Sequence, residues 1–429
     1  MSLSASNKST WETKRLRFLA RINKSRIPKE LEETDEVSFI PMPAVGEYGG
    51  LELSETKPIG DIGAGYTPFV EDDVLVAKIT PCFENGKGAV ARGLINQAAY
   101  GTTELHVVSC GPELLPDFAF YLSISDPFRG FGEGSMYGAG GQKRVPESFI
   151  KDFLVSIPTL EHQKRILSFL ETKLGEIDDL IAKKQEMLKL LAEKRSALIT
   201  RAVTKGLNPD ALMKSSGYDW LGDIPGHWEI KRLRFIGRPQ NGINIGGEFF
   251  GKGHPFVSYS DVFNNFELPS NISGLVESSD DDRKRYSVQR GDIFFTRTSE
   301  TIEEIGMSAV SMRTIPDATF AGFLIRVRPS RKVLLPSFAK YYFRNTSLRF
   351  FLVKEMNLVT RASLGQNLLG NLPVVIPSLA EQEQIVGFIE TEATTLDAVT
   401  STIESAILHL IEYRSSVISK AVTGELEVA

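Results

Sequence analysis

The chain has 429 residues, 42% hydrophobic and 24% charged, with 49 Lys/Arg against 54 Asp/Glu for a net charge of −5. That length exceeds one compact core and calls for two domains, and the composition is that of folded protein, which excludes a mostly disordered chain. Two cysteines, Cys82 and Cys110, and five scattered histidines offer neither a disulfide framework nor a metal-ligand cluster. No uncharged apolar run reaches membrane-spanning length and the chain opens on polar sequence, so no membrane span is expected and the protein reads as cytoplasmic. With charge so nearly balanced, a nucleic-acid partner would have to be met by local patches.

In chain order, Trp11 to Phe18 reads WETKRLRF and opens a stretch to about residue 157 with short apolar runs and frequent Gly and Pro. This is the pattern of mixed α/β structure with substantial loops. Asp73-Val74-Leu75-Val76 reads as a short buried strand. The cluster Gly130 to Gly141 fits no dinucleotide-binding spacing and reads as a mobile loop. Ile157-Pro158 then stops the domain, because proline disfavours helical geometry in the residue before it, and Thr159 is placed to cap a helix starting just after it. From Glu161 to about Lys205 the chain is helix-favouring, with Ile166, Leu170, Ile177, Ile181, Leu188, Leu191 and Leu198 on an a/d seam that Lys184 and Arg195 interrupt. About 43 residues at helical rise make a rod of roughly 65 Å. Gly206-Leu207-Asn208-Pro209-Asp210 ends it, and a linker through Ser215-Ser216-Gly217 leads to Trp228.

The chain then repeats itself. WEIKRLRF begins at Trp228; IPTLEHQKRI from Ile157 returns as IPSLAEQEQI from Ile376; Asp292-Ile293-Phe294-Phe295 answers Asp73 to Val76 at a shift of 219. Ser378 stands where Thr159 stood, and Ile385, Ile389, Leu396, Ile403, Ile407, Leu410 and Val417 form a second seam with Arg414 in the place of Arg195. Glu161 to Lys205 holds ten basic and seven acidic residues, whereas Glu381 to Glu425 holds two and eight, so pairing the rods is favourable in charge as well as apolar. The expected fold class is α+β: two similar mixed α/β domains separated by a long antiparallel two-helix coiled coil with an internal pseudo-two-fold repeat. The boundaries read 1–157, 158–206 for the first long helix, 207–227 for a linker, 228–376, and 377–429 for the second long helix. Arg195 and Arg414 are expected to pack their stems and pair with an acid of the opposite helix.

Catalytic motifs are absent: Gly86-Lys87-Gly88 lacks a P-loop's spacing, and there is no nucleophile elbow or His-Glu-x-x-His. Asp280-Asp281-Asp282 read as solvated loop, the basic run Arg283-Lys284-Arg285 as solvated, and His162 and His227 as unpaired.

The order of variable domain, Ile-Pro and long helix, met twice, resembles the specificity (S) subunit of Type I restriction–modification enzymes. Asp73 to Lys87, Gly291 to Thr298 and the approach Tyr218-Asp219-Trp220-Leu221-Gly222-Asp223-Ile224-Pro225 before Trp228 are similar to stretches of that family. The first half lacks such an approach before Trp11. The resemblance implies two target recognition domains reading two different DNA half-sites about one helical turn apart, hence a bipartite, asymmetric site. It implies partners (double-stranded DNA, methyltransferase subunits in two copies, and restriction–translocase subunits), no cofactor, no metal, and no catalysis by the chain itself.

Base readout needs polar or aromatic side chains on loops beside a groove. In the first half, Lys78, Thr80, Asn85 and Lys87 follow the buried strand, and Tyr137, Gln142, Lys143 and Arg144 sit in or after the glycine-rich segment. In the second half the candidates are Arg297, Thr298 and Ser299 after the matching strand, Thr360, Arg361, Ser363 and Gln366 ahead of Ile376-Pro377, Tyr259 and Ser260 at the end of an aromatic run, and Asn241 and Asn244 in a Gly/Asn stretch. Lys78 and Arg297 coincide under the shift of 219 and are expected to do the same job on phosphate or guanine.

Overall fold

A computed structural model of the chain describes residues 11–139, 141–299, 304–330, 332–355 and 362–428. The fold is α+β. The chain divides into two compact units, one of residues 1–185 with 404–429 and one of residues 186–403.

In the first unit the uninterrupted apolar run Val74–Ala77 forms a strand buried at every position, as a strand covered on both faces must be. It lies inside a four-stranded sheet in the order Ala20–Ile22, Leu105–Cys110, Val74–Ala77, Gly88–Val90. A second sheet runs Thr56–Pro58, Glu36–Ile40, Ala98–Gly101, Thr67–Val70, with Glu36–Ile40 and Ala98–Gly101 parallel. Asp73, buried just ahead of the central strand, accepts hydrogen bonds from the Val70 amide at 2.9 Å and the Ser109 hydroxyl at 2.6 Å, which satisfies a carboxylate that burial would otherwise penalise.

The second unit builds the same sheet: Pro239–Asn241, Leu324–Val327, Ile293–Thr296, Ser308–Val310. The registers match under the repeat, Val76 facing His106 and Phe295 facing Ile325. Asp292 is again buried, but here Arg328 holds both carboxylate oxygens, at 2.6 and 2.7 Å. In both units the first strand of the domain pairs antiparallel with the last, Glu12–Arg15 with Leu154–Ile157 and Glu229–Arg232 with Pro373–Ile376.

The long helices are Leu160–Lys205 and Leu379–Thr423. Thr159 Oγ1 accepts the His162 amide at 3.4 Å and Ser378 Oγ the Glu381 amide at 3.2 Å, so both capping expectations hold. Gly206 and Gly424 follow the last turns with φ of +73° and +76°, the left-handed stop that glycine adopts without strain. A glutamine fastens each start. Gln163 accepts from the Leu115 amide at 2.9 Å and donates to the Glu113 and Pro158 carbonyls at 2.8 and 3.0 Å. Gln382 does the same with Leu335, Val333 and Pro377 at 2.8, 2.9 and 3.0 Å.

In each unit the early part of one long helix joins the late part of the other, an antiparallel pairing. The first unit's core gathers Ile166, Leu170 and Ile177 with Val417, Ile418, Ala421 and Val422; the second gathers Ile385 and Ile389 with Ile199, Ala202 and Val203. The apolar seam residues are buried or half-buried, while Arg195 is exposed. Arg414 Nε donates to Asp178 at 3.0 Å in the first unit, and Arg195 to Asp397 at 2.5 Å in the second. Residues 178 and 195 shifted by 219 are 397 and 414, so these are the same ion pair made twice.

Two readings need correction. Gly130, Gly132 and Gly134 lie not in a loop but in the helix Asp126–Ser135. Gly132 is small for packing, since a Cβ there would come within 2.3 Å of the Phe83 ring. Asp280 to Asp282 are helical rather than loop, with Asp280 and Asp281 exposed as expected. They are the first turn of the helix Asp280–Arg285, capped by Ser279, with its acidic start and basic end matched to the helix dipole. Arg283 is correspondingly engaged with Asp280 and the Ser278 carbonyl rather than simply solvated.

Candidate nucleic-acid interface

Both candidate loops of the first unit meet at the end of the central strand. Lys78 donates its amide to the Glu104 carbonyl (3.0 Å) and accepts the Val145 amide (2.8 Å), while the Thr80 amide reaches the Lys143 carbonyl at 3.0 Å. Thr80 Oγ1 donates to the Gly141 carbonyl at 2.7 Å and accepts the Lys143 amide at 3.1 Å. Tyr137 and Arg144 pair across the turn, and positive φ values at Gly138 and Gly141 let the chain reverse there. Tyr137, Gln142 and Lys143 are left exposed, as is Asn85.

Not every candidate is free to reach a ligand. Arg144 is clamped by Glu104 through two parallel bonds of 2.9 and 2.8 Å, and Asn85 donates to Glu47 at 3.1 Å. Lys87 approaches the Met42 carbonyl at 3.5 Å. Lys78 is half-buried with no ion-pair partner among the described residues. The Arg144 guanidinium holds the Glu104 carboxyl below the usual carboxylate range. His106, pointing into the same corner, donates from Nε2 to the Val145 carbonyl at 2.9 Å and meets the Asn23 amide nitrogen at 3.0 Å, so the neutral ring satisfies both partners. Burial pushes its pKa below the ordinary 6.5. Glu104, Asn23 and His106 had no signal in the sequence, because they lie far from the loops along the chain.

The second unit repeats the frame with other side chains. The Arg297 amide donates to the Phe323 carbonyl at 2.9 Å and its carbonyl accepts the Leu364 amide at 2.7 Å; residues 323 and 364 are 104 and 145 shifted by 219. Lys78 and Arg297 therefore occupy the same backbone position. Thr298–Ser299 pairs with Ala362–Ser363, which brings the two candidate segments together here as well. Gln366 starts the helix Gln366–Asn371 and is exposed. Thr360 and Arg361 lie outside the described residues.

Asn244, Tyr259 and the exposed Phe323 line a cleft of about 270 Å³ beside this edge, and Ser260 is exposed next to Tyr259. Tyr259 stacks on Phe263 at 5.7 Å. Asn241, by contrast, is a half-buried sheet residue opposite Ile325. His227 is paired with Glu381 at 3.0 Å, contrary to expectation.

Among the described residues there is no group of three or more His, Cys, Asp or Glu able to hold a metal ion, and no helix long and apolar enough to cross a membrane. Cationic and amide-bearing loops at the end of an inner strand, built twice on matching frames, define a class of duplicated domains joined to paired helices. The family model for the Type I restriction modification DNA specificity domain matches residues 8–190 and 238–413, and the chain belongs to that family. Over 161 residues it is 40% identical to the Type I restriction enzyme EcoAI specificity subunit of Escherichia coli, a match spanning 37% of this chain and only 27% of that protein. A solved chain from work on complex assembly and conformational transition of the type I R-M system superposes with a TM-score of 0.69 at 17% identity, covering 99% of this chain and 100% of that one. The HsdS subunit from Thermoanaerobacter tengcongensis gives 0.54 at 17% identity, with 97% of each chain covered. At such identity the two structures establish the fold alone.

Proposed function

We propose that the chain is the DNA-recognition subunit of a Type I restriction–modification complex, reading a bipartite, asymmetric duplex site without doing chemistry itself. The observation that carries this reading is the duplicated loop edge. One backbone frame presents Lys78 in one unit and Arg297 in the other, while the surrounding side chains differ. A shared frame suits a shared duplex backbone, and different side chains suit different bases. Domains at 1–157 and 228–376, helices at 158–206 and 377–429 and a linker at 207–227 are the parts this function requires.

Methyltransferase subunits, and through them restriction–translocase subunits, are assigned to the long helices. Support comes from apolar residues left exposed there: Leu180, Met187 and Leu190 on the first, Leu408 and Ile411 on the second. Partner subunits would also supply phosphate neutralisation that a chain of net charge −5 does not. The test is coexpression with the methyltransferase subunit and genome-wide mapping of methylated adenines. A two-part asymmetric motif is expected; random methylation, or none with an intact methyltransferase, refutes the reading.

A further inference from the structure

Where the two halves read different things they have diverged: Lys78 to Lys87 reads KITPCFENGK, and its counterpart from Arg297 reads RTSETIEEIG. Against that background one exposed segment has the same sequence twice. Lys14-Arg15-Leu16-Arg17-Phe18 is identical to Lys231-Arg232-Leu233-Arg234-Phe235, and Arg21 and Arg238 follow at equal spacing. Burial explains the leucines, which anchor the turn: Leu16 and Leu233 are buried, their amides bound to the Phe153 and Leu372 carbonyls at 3.0 and 2.9 Å. It does not explain the rest. Phe18 and Phe235 are 72% and 71% exposed, and Arg15, Arg17, Arg21 and Arg232, Arg234, Arg238 are exposed too. Arg15 and Arg17 pair with Asp152 in the first unit, while in the second Arg234 lies over the Phe235 ring and donates to Asn371.

The patch lies away from the reading loops. Along Leu105–Cys110, Leu105 pairs with Ala77, beside Lys78, whereas Cys110 pairs with Ala20, just after Phe18. Strand rise puts those ends about 17 Å apart. In the second unit Leu324 likewise faces Thr296, beside Arg297, while Val327 faces Pro239, just after Arg238.

We propose that each arginine-flanked phenylalanine is a docking point for one copy of the same protein partner, whose surface offers an apolar pocket rimmed by carboxylates. Two identical side-chain sets fit two identical partners, whereas two different half-sites would not preserve them. An exposed aromatic with arginines is also the residue set that dominates protein interfaces. This rests on the reading above, in which the partner taken up in two copies is the methyltransferase subunit, and it adds a contact on each domain to those on the long helices.

The experiment uses the full chain and purified methyltransferase subunit, with Phe18→Asp, Phe235→Asp and the double variant read by sedimentation velocity and titration. Each single variant should keep one subunit at wild-type affinity and bind the other about 30-fold more weakly, the loss of a hot-spot side chain. The double variant should lose both, Phe18→Leu should retain binding, and all should keep the wild-type thermal midpoint and duplex affinity. Unchanged uptake of both subunits by the double variant overturns the proposal. So does weakened duplex binding by the free variant chain, which would make the patch a DNA contact. Should the wild type itself take up no methyltransferase subunit, the underlying reading falls and this one with it.

Discussion

At the residue scale, Lys78 and Arg297 carry the clearest functional prediction. Replacing either by alanine should weaken duplex binding by about 1–3 kcal/mol if it reads a base, with relaxed sequence preference at one position, or lower the salt slope by about one if it holds a phosphate. Binding titrations across salt concentrations distinguish the two, and an unchanged affinity and methylated sequence for Arg297→Ala removes that residue from the interface. His106 carries a pH prediction. Its folded pKa is depressed by burial below the ordinary 6.5, so the neutral ring contributes its full stability above that pH. Stability should fall as pH drops below about 6.5 toward the folded value, where protonation breaks the Asn23 contact. Thermal melts from pH 7.5 to 5 should show this extra slope in the wild type and lose it in His106→Gln. Lys78 and Arg297 were visible in the sequence because the repeat aligned them. The clamp of Glu104 on Arg144 was not, since residues 40 positions apart meet only through the sheet.

At the element scale, the two glutamines that fasten the helices are the most exposed to test. Gln163→Ala leaves one buried amide and two carbonyls unpaired at the junction of domain and helix. A loss of roughly 2–4 kcal/mol in chemical denaturation is expected, and Gln382→Ala should behave alike. Gly132→Ala forces a Cβ into the Phe83 ring and should cost about 1–3 kcal/mol, which a loop glycine would not. The helices, their caps and the Arg195 and Arg414 ion pairs were legible because period, proline and glycine are local signals. The helix through Gly130 to Gly134 was not, because its glycines answer to Phe83, a neighbour that appears only after folding. At Asp280 to Asp282 the charge run gave the exposure correctly, and the Ser279 cap makes the segment a helix rather than a loop.

At the scale of the whole molecule, duplication is the dominant fact, and three matched segments of the sequence suffice to reveal it. Shifts of 217 and 219 predicted that the buried strand, the helix starts and the seam arginines would each occur twice, and the registers Val76–His106 and Phe295–Ile325 match under the same shift. The second sheets diverge more: four strands in the first unit against Phe250–Val257 with two short partners in the second. Nothing local in the sequence announces that difference, which arises in the Gly- and Asn-rich segment around Asn241 to Gly253. If the proposed reading holds, two units of one frame with different side chains should read each half of the target independently. Replacing residues 11–157 with the corresponding domain of another family member, and mapping methylated adenines with the methyltransferase subunit present, measures that directly. The account predicts that one half of the methylated motif changes while the other half and the gap between them stay; a change in both halves, or in neither, would contradict it.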